Sequence, residues 1–214
     1  MNKILAIIGA GDLGRQIAYH AMHDNHFNTV IFFDDFNQDK LVDGFELLGK
    51  TEAVLDSYNQ GLFTDLIIGI GYKHMQERSN LFNRFKDKIP FVNIIHSSCI
   101  VDSSVKLGKG IVMYPGSIID ANVVIGDNVL INIGCVIAHD TNINSNCFLS
   151  PSVNLAGFVN VGEKSILGIN CTVIDNINIH SNTQIGAGGV VIKNINKNGL
   201  YVGNPIRFID KNNI

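Results

Sequence analysis

The chain has 214 residues, a formal net charge of -3 and 16% charged against 46% hydrophobic residues, which excludes intrinsic disorder and a basic nucleic-acid binder and allows one or two domains. No apolar run approaches the roughly 20 residues of a membrane span, and four Cys in such a chain do not suggest a disulfide scaffold. The apolar run after Lys3 is too short for a secretory signal core and enters a Gly motif, so the chain is expected to be cytoplasmic.

The first apolar run, residues 3–8, reads as a strand. It opens into Gly9-Ala10-Gly11-Asp12-Leu13-Gly14, and a helical stretch covers about residues 15–23. A second run over 29–33 ends in Asp34-Asp35, a third over 66–70 ends in Gly71, and Pro90 precedes a fourth over 91–95. Strand, Gly turn, helix, strand is a βαβ unit and predicts a parallel sheet. The Gly spacing is that of G-x-G-x-x-G with an acidic residue about twenty positions later. The glycines let a phosphate approach the helix N-terminus, and the carboxylate can accept from a ribose hydroxyl or a base N–H. Four or five strands make about half of a dinucleotide fold, so a nucleotide-linked substrate fits better than NAD. A tight turn without a ligand is the alternative. Lys73 and Arg78, after the third strand, read either as diphosphate partners or as a solvated loop.

From Ile95 a period of six takes over. Ile95, Val101, Leu107, Met113, Ile119, Ile125 and so on to Val191 are 17 positions, all aliphatic or Met, with no phase break over 97 residues. Four residues after each stands a small or β-branched residue, and all four Cys occupy that position. Neither a 3.6-residue helix nor a single alternating strand can hold this pattern. Short strands of a left-handed parallel β-helix can, with one hexapeptide per flat side and 18 residues per coil. Residues 18 apart then stack about 4.8 Å apart. Cys99, Cys135 and Cys171 fall two coils apart, about 10 Å, too far for a disulfide, and read as buried small hydrophobes. The expected fold is therefore an α/β half-Rossmann-like domain over residues 1–94 and a left-handed β-helix with a short tail over residues 95–214.

Few reactive side chains lie on the coils. No ordered His and carboxylate cluster suggests a metal. His139-Asp140, at the turn after Ile137, is the best candidate general base, its alternative being a solvated turn residue. Lys193, Lys197, Arg207 and Lys211 cluster in sequence near the C-terminus, either as partners of a phosphate-bearing donor or as a solvated basic end.

The glycine turn at residues 9–14 ahead of a hexapeptide β-helix resembles the sialic-acid O-acetyltransferase type of acyltransferase. That family includes N-acetyltransferases of nucleotide-linked 4-amino-4,6-dideoxy sugars. The stretch Asn132-Ile133-Gly134-Cys135-Val136-Ile137-Ala138-His139-Asp140 matches the family's Asn, six residues, His-Asp, and Tyr201-Val202-Gly203-Asn204-Pro205-Ile206-Arg207 resembles its tail. The resemblance implies a homotrimer with acetyl-CoA as co-substrate in the groove between neighbouring β-helices and no permanently bound cofactor. It makes His139 the base, oriented by Asp140, with Asn132 near the substrate. It places Gly9, Gly11 and Gly14 on the diphosphate side, Asp34 and Asp35 at the nucleobase and Lys73 nearby. Gly157, 18 residues after His139, would offer its N–H to the thioester carbonyl, and Phe148, Ile169, Ala187, Lys193 and Arg207 would line acetyl-CoA. Many relatives carry a second His nine residues after the base, where this chain has Phe148.

Three functions follow. N-acetylation of a nucleotide-linked amino sugar is preferred. O-acetylation of a sialic acid or capsular sugar uses the same base and donor, and a non-catalytic nucleotide-binding scaffold would leave the His-Asp pair without a task.

Overall fold

The structure, a computed structural model, describes residues 3–210, and the chain divides into two compact units, Met1–Ile94 and Ile95–Ile214. Among the described residues no helix is long and apolar enough to cross a membrane.

The first unit begins with β1 (Ile4–Ile8), α1 (Asp12–His23), β2 (Thr29–Phe33), β3 (Leu41–Val42) and β4 (Phe45–Gly49), and continues with α2 (Val54–Asn59), β5 (Asp65–Ile68) and α3 (Met75–Phe85). The sheet order is β3-β4-β2-β1-β5, with β1 parallel to both β2 and β5. β1 and β2 are buried nearly throughout, as the apolar runs of a parallel sheet covered on both faces should be. The antiparallel hairpin of β3 and β4 lay outside the apolar-run reading. Asp43-Gly44 builds it, with φ of 51° and 87°, the pair of positive angles that a two-residue hairpin turn requires. The fourth apolar run adds no strand to this sheet. Phe91 makes a single bridge to Leu66, after which Ile94–Ile95 becomes the first strand of the repeat.

The second unit is a β-helix whose short strands repeat every 18 residues in three parallel sheets, here faces A, B and C. Face A carries Ile94–Ile95, Val112–Met113, Leu130–Ile131, Phe148–Leu149 and Ile166–Leu167, then Thr183–Ile185. Face B carries Ile100–Val101, Ile118–Ile119, Val136–Ile137, Asn154–Leu155, Thr172–Val173 and Val190–Val191, and face C runs from Lys106–Leu107 to Asn178–Ile179. The hairpin of Gly199–Gly203 and Ile206–Ile209 extends face A.

The aliphatic positions of the repeat fill one continuous core from Ile111 to Ile195. The first coil is looser: Ile95 and Val101 are half-buried and Leu107 is exposed, because Leu107 sits on the edge strand of face C, with no rung below it. Four residues after each aliphatic, the small side chain points inward, and Ser117, Thr141 and Ser165 there donate to a turn carbonyl of the next coil. Ser117 Oγ reaches Asn132 O at 2.9 Å and Thr141 Oγ1 reaches Ala156 O at 3.0 Å. The Cys thiols do the same: Cys135 Sγ lies 3.3 Å from Ser150 O and Cys147 Sγ 3.2 Å from Gly162 O. All four Cys are free, and desolvation pushes Cys135 up to about 11 and Cys147 and Cys171 up to about 12, so these three are buried packing residues and not nucleophiles.

From residue 110 to residue 188 every corner turns through one residue of positive φ. These are Gly110, Gly116, Asn122, Asn128, Gly134, Asp140 and Asn146, then Ser152, Phe158, Lys164, Asn170, Asn176, Asn182 and Gly188, a strict period of six. Gly and Asn tolerate the left-handed region best, which explains ten of the fourteen.

Candidate active site

Four corners depart from Gly or Asn: Asp140, Ser152, Phe158 and Lys164. Two of them stand at one place. His139-Asp140 turns the chain from face B to face C between Val136–Ile137 and Asn142–Ile143, and Phe158 is the same corner one coil on.

His139 Nδ1 lies 3.0 Å from Asp140 Oδ2. Both side chains reach solvent, and none of the described hydrogen bonds uses Nε2. Asn122, the same corner one coil back, donates Nδ2–H to Asp140 Oδ1 at 3.2 Å. The sequence reading passed over Asn122; the 18-residue spacing to Asp140 was the signal that points to it. The imidazole lies against Gly157 of the next coil. A Cβ placed on Gly157 would stand 2.7 Å from His139 Cε1 and 2.9 Å from Nε2, so any side chain there displaces the ring. The Gly157 carbonyl accepts from Asn176 N–H at 3.0 Å, while none of the described hydrogen bonds uses its own N–H. The Phe158 ring meets the imidazole edge-to-face, centroids 5.2 Å apart at 87°. A base with one nitrogen held by a carboxylate, its other nitrogen open and a spare backbone N–H beside it can take a proton from a nucleophile and receive a developing oxyanion.

The remaining site residues divide between corners. Lys193 is exposed in the His139 column, three coils further at residues 139, 157, 175 and 193. Asn132, Ile169 and Ala187 stand on the corner between faces A and B, across face B from His139. Asn132 Oδ1 already accepts from Ile133 N–H at 2.8 Å. Phe148 does not wall this chain's His139. It lies on face A, away from the corner between faces B and C, and is 5% exposed. Of the basic tail, Arg207 is exposed on the hairpin of face A, Lys197 Nζ sits 4.6 Å over the ring of its neighbour Phe208, and Lys211 lies outside the described residues.

In the first unit the three glycines have different tasks. Gly9 has φ of +105°, and a Cβ on Gly14 would fall 1.8 Å from Gly9 O, so helix α1 packs directly on the end of β1. Gly69 closes on the same point: a Cβ there would lie 2.7 Å from Gly14 Cα. Gly11 alone is open, with nothing within 4 Å of an added Cβ. The turn thus satisfies packing first and leaves one glycine facing outward at the carboxyl ends of the strands, the side on which parallel α/β sheets bind ligands.

Asp34 is largely spent inside the fold. Its Oδ2 accepts from Ala10 N–H at 2.8 Å, and its Oδ1 from Phe36 N–H at 2.8 Å and Asn37 N–H at 2.9 Å. Burial raises its pKa, but the three backbone donors outweigh burial and hold it below the ordinary carboxylate value. It ties the β1–α1 turn to the loop after β2. Asp35 is exposed, and accepts from Thr51 N–H at 2.8 Å and Thr51 Oγ1–H at 3.0 Å. Lys73 is exposed in the turn Tyr72–His74 after β5. Arg78 is no diphosphate partner. It is fully buried in α3 and donates Nη1–H to the carbonyls of Ile68 at 2.8 Å and Ile70 at 3.1 Å, fixing the end of β5 from behind. A cation in a polar stretch of sequence reads as solvated, yet here the helix carries it inward.

Among the described residues no three His, Cys, Asp or Glu side chains gather to hold a metal ion.

Residues 4–85 match the family model described as the PglD N-terminal domain. Over 97% of both chains, the structure is similar to GDP-perosamine N-acetyltransferase from Caulobacter crescentus, at 32% identity and a TM-score of 0.90, solved as a histidine-to-alanine variant in complex with CoA and GDP-perosamine. A histidine-to-asparagine variant in complex with the same two molecules matches equally well, at 32% identity, 97% of both chains and a TM-score of 0.90. The acetyltransferase domain of PglB from Neisseria gonorrhoeae, in complex with acetyl coenzyme A, is 26% identical over 98% of this chain and 100% of its own, with a TM-score of 0.90. A search of the curated proteins found no match.

Proposed function

We propose, from the premise that this chain belongs to the hexapeptide-repeat acetyltransferases acting on nucleotide sugars, that it N-acetylates the amino group of a nucleotide-linked amino-deoxy sugar from acetyl-CoA, for surface-glycan biosynthesis. The observation that carries the reading is the His139 imidazole, fixed on Asp140 at 3.0 Å and lying over Gly157. Two variants of one histidine in the Caulobacter relative hold both CoA and GDP-perosamine, which fits a histidine that serves turnover more than binding.

The chemistry runs as follows. The sugar amine attacks the thioester carbonyl carbon, and His139 Nε2 takes the proton the nitrogen must lose. Asp140 holds the tautomer with Nδ1–H toward itself and stabilises the imidazolium. The carbonyl oxygen becomes an oxyanion, which the Gly157 N–H stabilises. The C–S bond then breaks, and the imidazolium returns the proton to the thiolate, giving the amide and free CoA. An O-acetyltransferase would use the same steps, so the acceptor decides. Thiol release from acetyl-CoA is measured against GDP-, UDP- and dTDP-linked amino sugars and free sialic acid. Release with one of the nucleotide amino sugars is expected, and release with sialic acid alone overturns the reading.

The first unit holds the nucleotide. Gly11 admits the diphosphate, with Gly9 and Gly14 shaping the turn; the exposed Asp35 meets the base, positioned by Asp34, and Lys73 faces the phosphates. Calorimetric titration with nucleoside diphosphates and with NAD tests this. Diphosphates bind, Gly11→Ala weakens them while the fold survives, and Gly14→Ala costs roughly 3 kcal/mol of stability because a methyl group cannot share the place of Gly9 O. Tight NAD binding without diphosphate binding overturns this assignment.

The working unit is a cytoplasmic homotrimer. Two observations support it. Ile100, Ile118 and Val136 form an exposed apolar row on face B. The acetyl-CoA and substrate residues also split between two corners of one β-helix, and a second copy that sets its corner with Asn132, Ile169 and Ala187 against the first copy's His139 corner joins them. CoA then runs from Gly157 toward Lys193, about 10 Å along the column by the strand spacing, with Arg207 and Phe148 on face A. Light scattering should return a trimer; a monomer at micromolar concentration sinks the proposal.

A further inference from the structure

Phe158 breaks the rule of the corners. A bulky aromatic residue at φ of 59° is a genuine outlier, whereas the same position in the coils on either side holds Asn122, Asp140 and Asn176. Strain of this kind persists only where the surroundings hold it, and it gathers at functional sites. Here the surroundings do hold it. Phe158 N–H donates to His139 O at 3.1 Å, and Thr141 Oγ1 grips the same loop from inside, donating to Ala156 O at 3.0 Å and accepting from Val159 N–H at 3.3 Å. The loop 156–159 is therefore clamped on both sides of Phe158. Its ring is 54% exposed, so core burial is not what the strained backbone secures. What the ring does contact is the imidazole of His139, edge-to-face at 5.2 Å.

We propose that Phe158 is a positioning residue for His139, a ring set on a strained corner to confine the imidazole between itself, Asp140 and Gly157. His139 is half exposed and would otherwise sample other rotamers, breaking the Nδ1 contact and carrying Nε2 off line. Asp140 fixes one edge of the ring and Gly157 lies beneath it; Phe158 supplies the wall that neither provides. An Asn corner, the commonest choice in this β-helix, would fold with less strain and leave the base unwalled. The proposal rests on the reading of His139 as the base.

Its test separates the ring from the backbone. Phe158→Ala and Phe158→Asn both remove the ring, but only Asn relieves the left-handed strain. Phe158→Asn should melt higher than Phe158→Ala, by roughly 2–4 °C. Both should lose kcat to the same extent, about ten- to a hundredfold, as misplaced catalytic groups do. Both Michaelis constants should stay within about threefold, and Phe158→Tyr, which keeps the ring, should restore kcat. If kcat follows stability, so that Phe158→Asn works better than Phe158→Ala, Phe158 is structural and the proposal fails. A kcat within about twofold of wild type in both variants also overturns it. His139→Asn is measured alongside: if it is inactive while both Phe158 variants are normal, only the positioning role is wrong; if it is active too, the base assignment has failed first.

Discussion

His139→Asn should lower the turnover number by about two to four orders of magnitude while acetyl-CoA affinity changes little. Asn keeps a polar tip of similar reach but cannot accept the proton that the sugar nitrogen sheds on becoming an amide. The geometry limits the loss from the other side. The Gly157 N–H and the ligand-binding residues survive the substitution, so the residual rate stays above that of the uncatalysed reaction. Asp140→Asn should cost less. The Asn side chain can turn its Oδ1 to accept from Nδ1–H, which keeps the tautomer that leaves Nε2 free. Steady-state rates of thiol release settle both. More than about a tenth of wild-type turnover in His139→Asn would show that His139 is not the essential base and favour a bound water or a pre-deprotonated amine.

The β-helix was legible because each coil writes its geometry locally. An aliphatic residue, a turn and a small inward residue recur every six positions, and the 18-residue stack then follows without any long-range inference. The same arithmetic placed Gly157 over His139 and set the Cys residues too far apart to bond. It would also have found Phe158. The third residue after each aliphatic is Gly or Asn at most corners, and the run breaks at Asp140, Ser152, Phe158 and Lys164, of which only Asp140 and Phe158 share a column. That column carries backbone conformation, not hydrophobicity, so a reading keyed to apolar positions slides past it.

The first unit was less legible for a physical reason: its interactions are non-local. The glycine turn is visible in the sequence, but that Gly14 must be glycine because of Gly9 and Gly69 depends on a crossing between β1, α1 and β5. The carboxylates of Asp34-Asp35 look free when read as a string, and only the fold shows that Ala10, Phe36, Asn37 and Thr51 already donate to them. Arg78 is the same error in the opposite direction. Composition gives it to solvent, and helix α3 turns it onto the carbonyls at the end of β5.

Gly157→Ala should reduce turnover by about a hundredfold without unfolding the protein. The new methyl would stand 2.7 Å from His139 Cε1 and 2.9 Å from Nε2, closer than real side-chain carbons approach. Something must move. The coil backbone around residue 157 is held through Asn176 N–H on its carbonyl and through Thr141 on the preceding carbonyl, so it resists. The imidazole is the far end of a half-exposed side chain, and it gives way. Ring displacement lengthens the 3.0 Å contact to Asp140 and moves Nε2 off the line of the attacking nitrogen, while the Gly157 N–H remains. The substitution thus removes the position of the base and keeps its chemistry. The melting temperature should stay within a few degrees of wild type, since the φ of Gly157 lies outside the left-handed region and the clash falls on a movable ring. A second substitution confirms the cause. In His139→Asn the ring is already gone, so adding Gly157→Ala should cost little more, and the two effects should be far from additive. Fully additive losses would mean that Gly157 acts on the thioester or the coenzyme independently of His139, and the ring-over-glycine arrangement would not be what sets the rate.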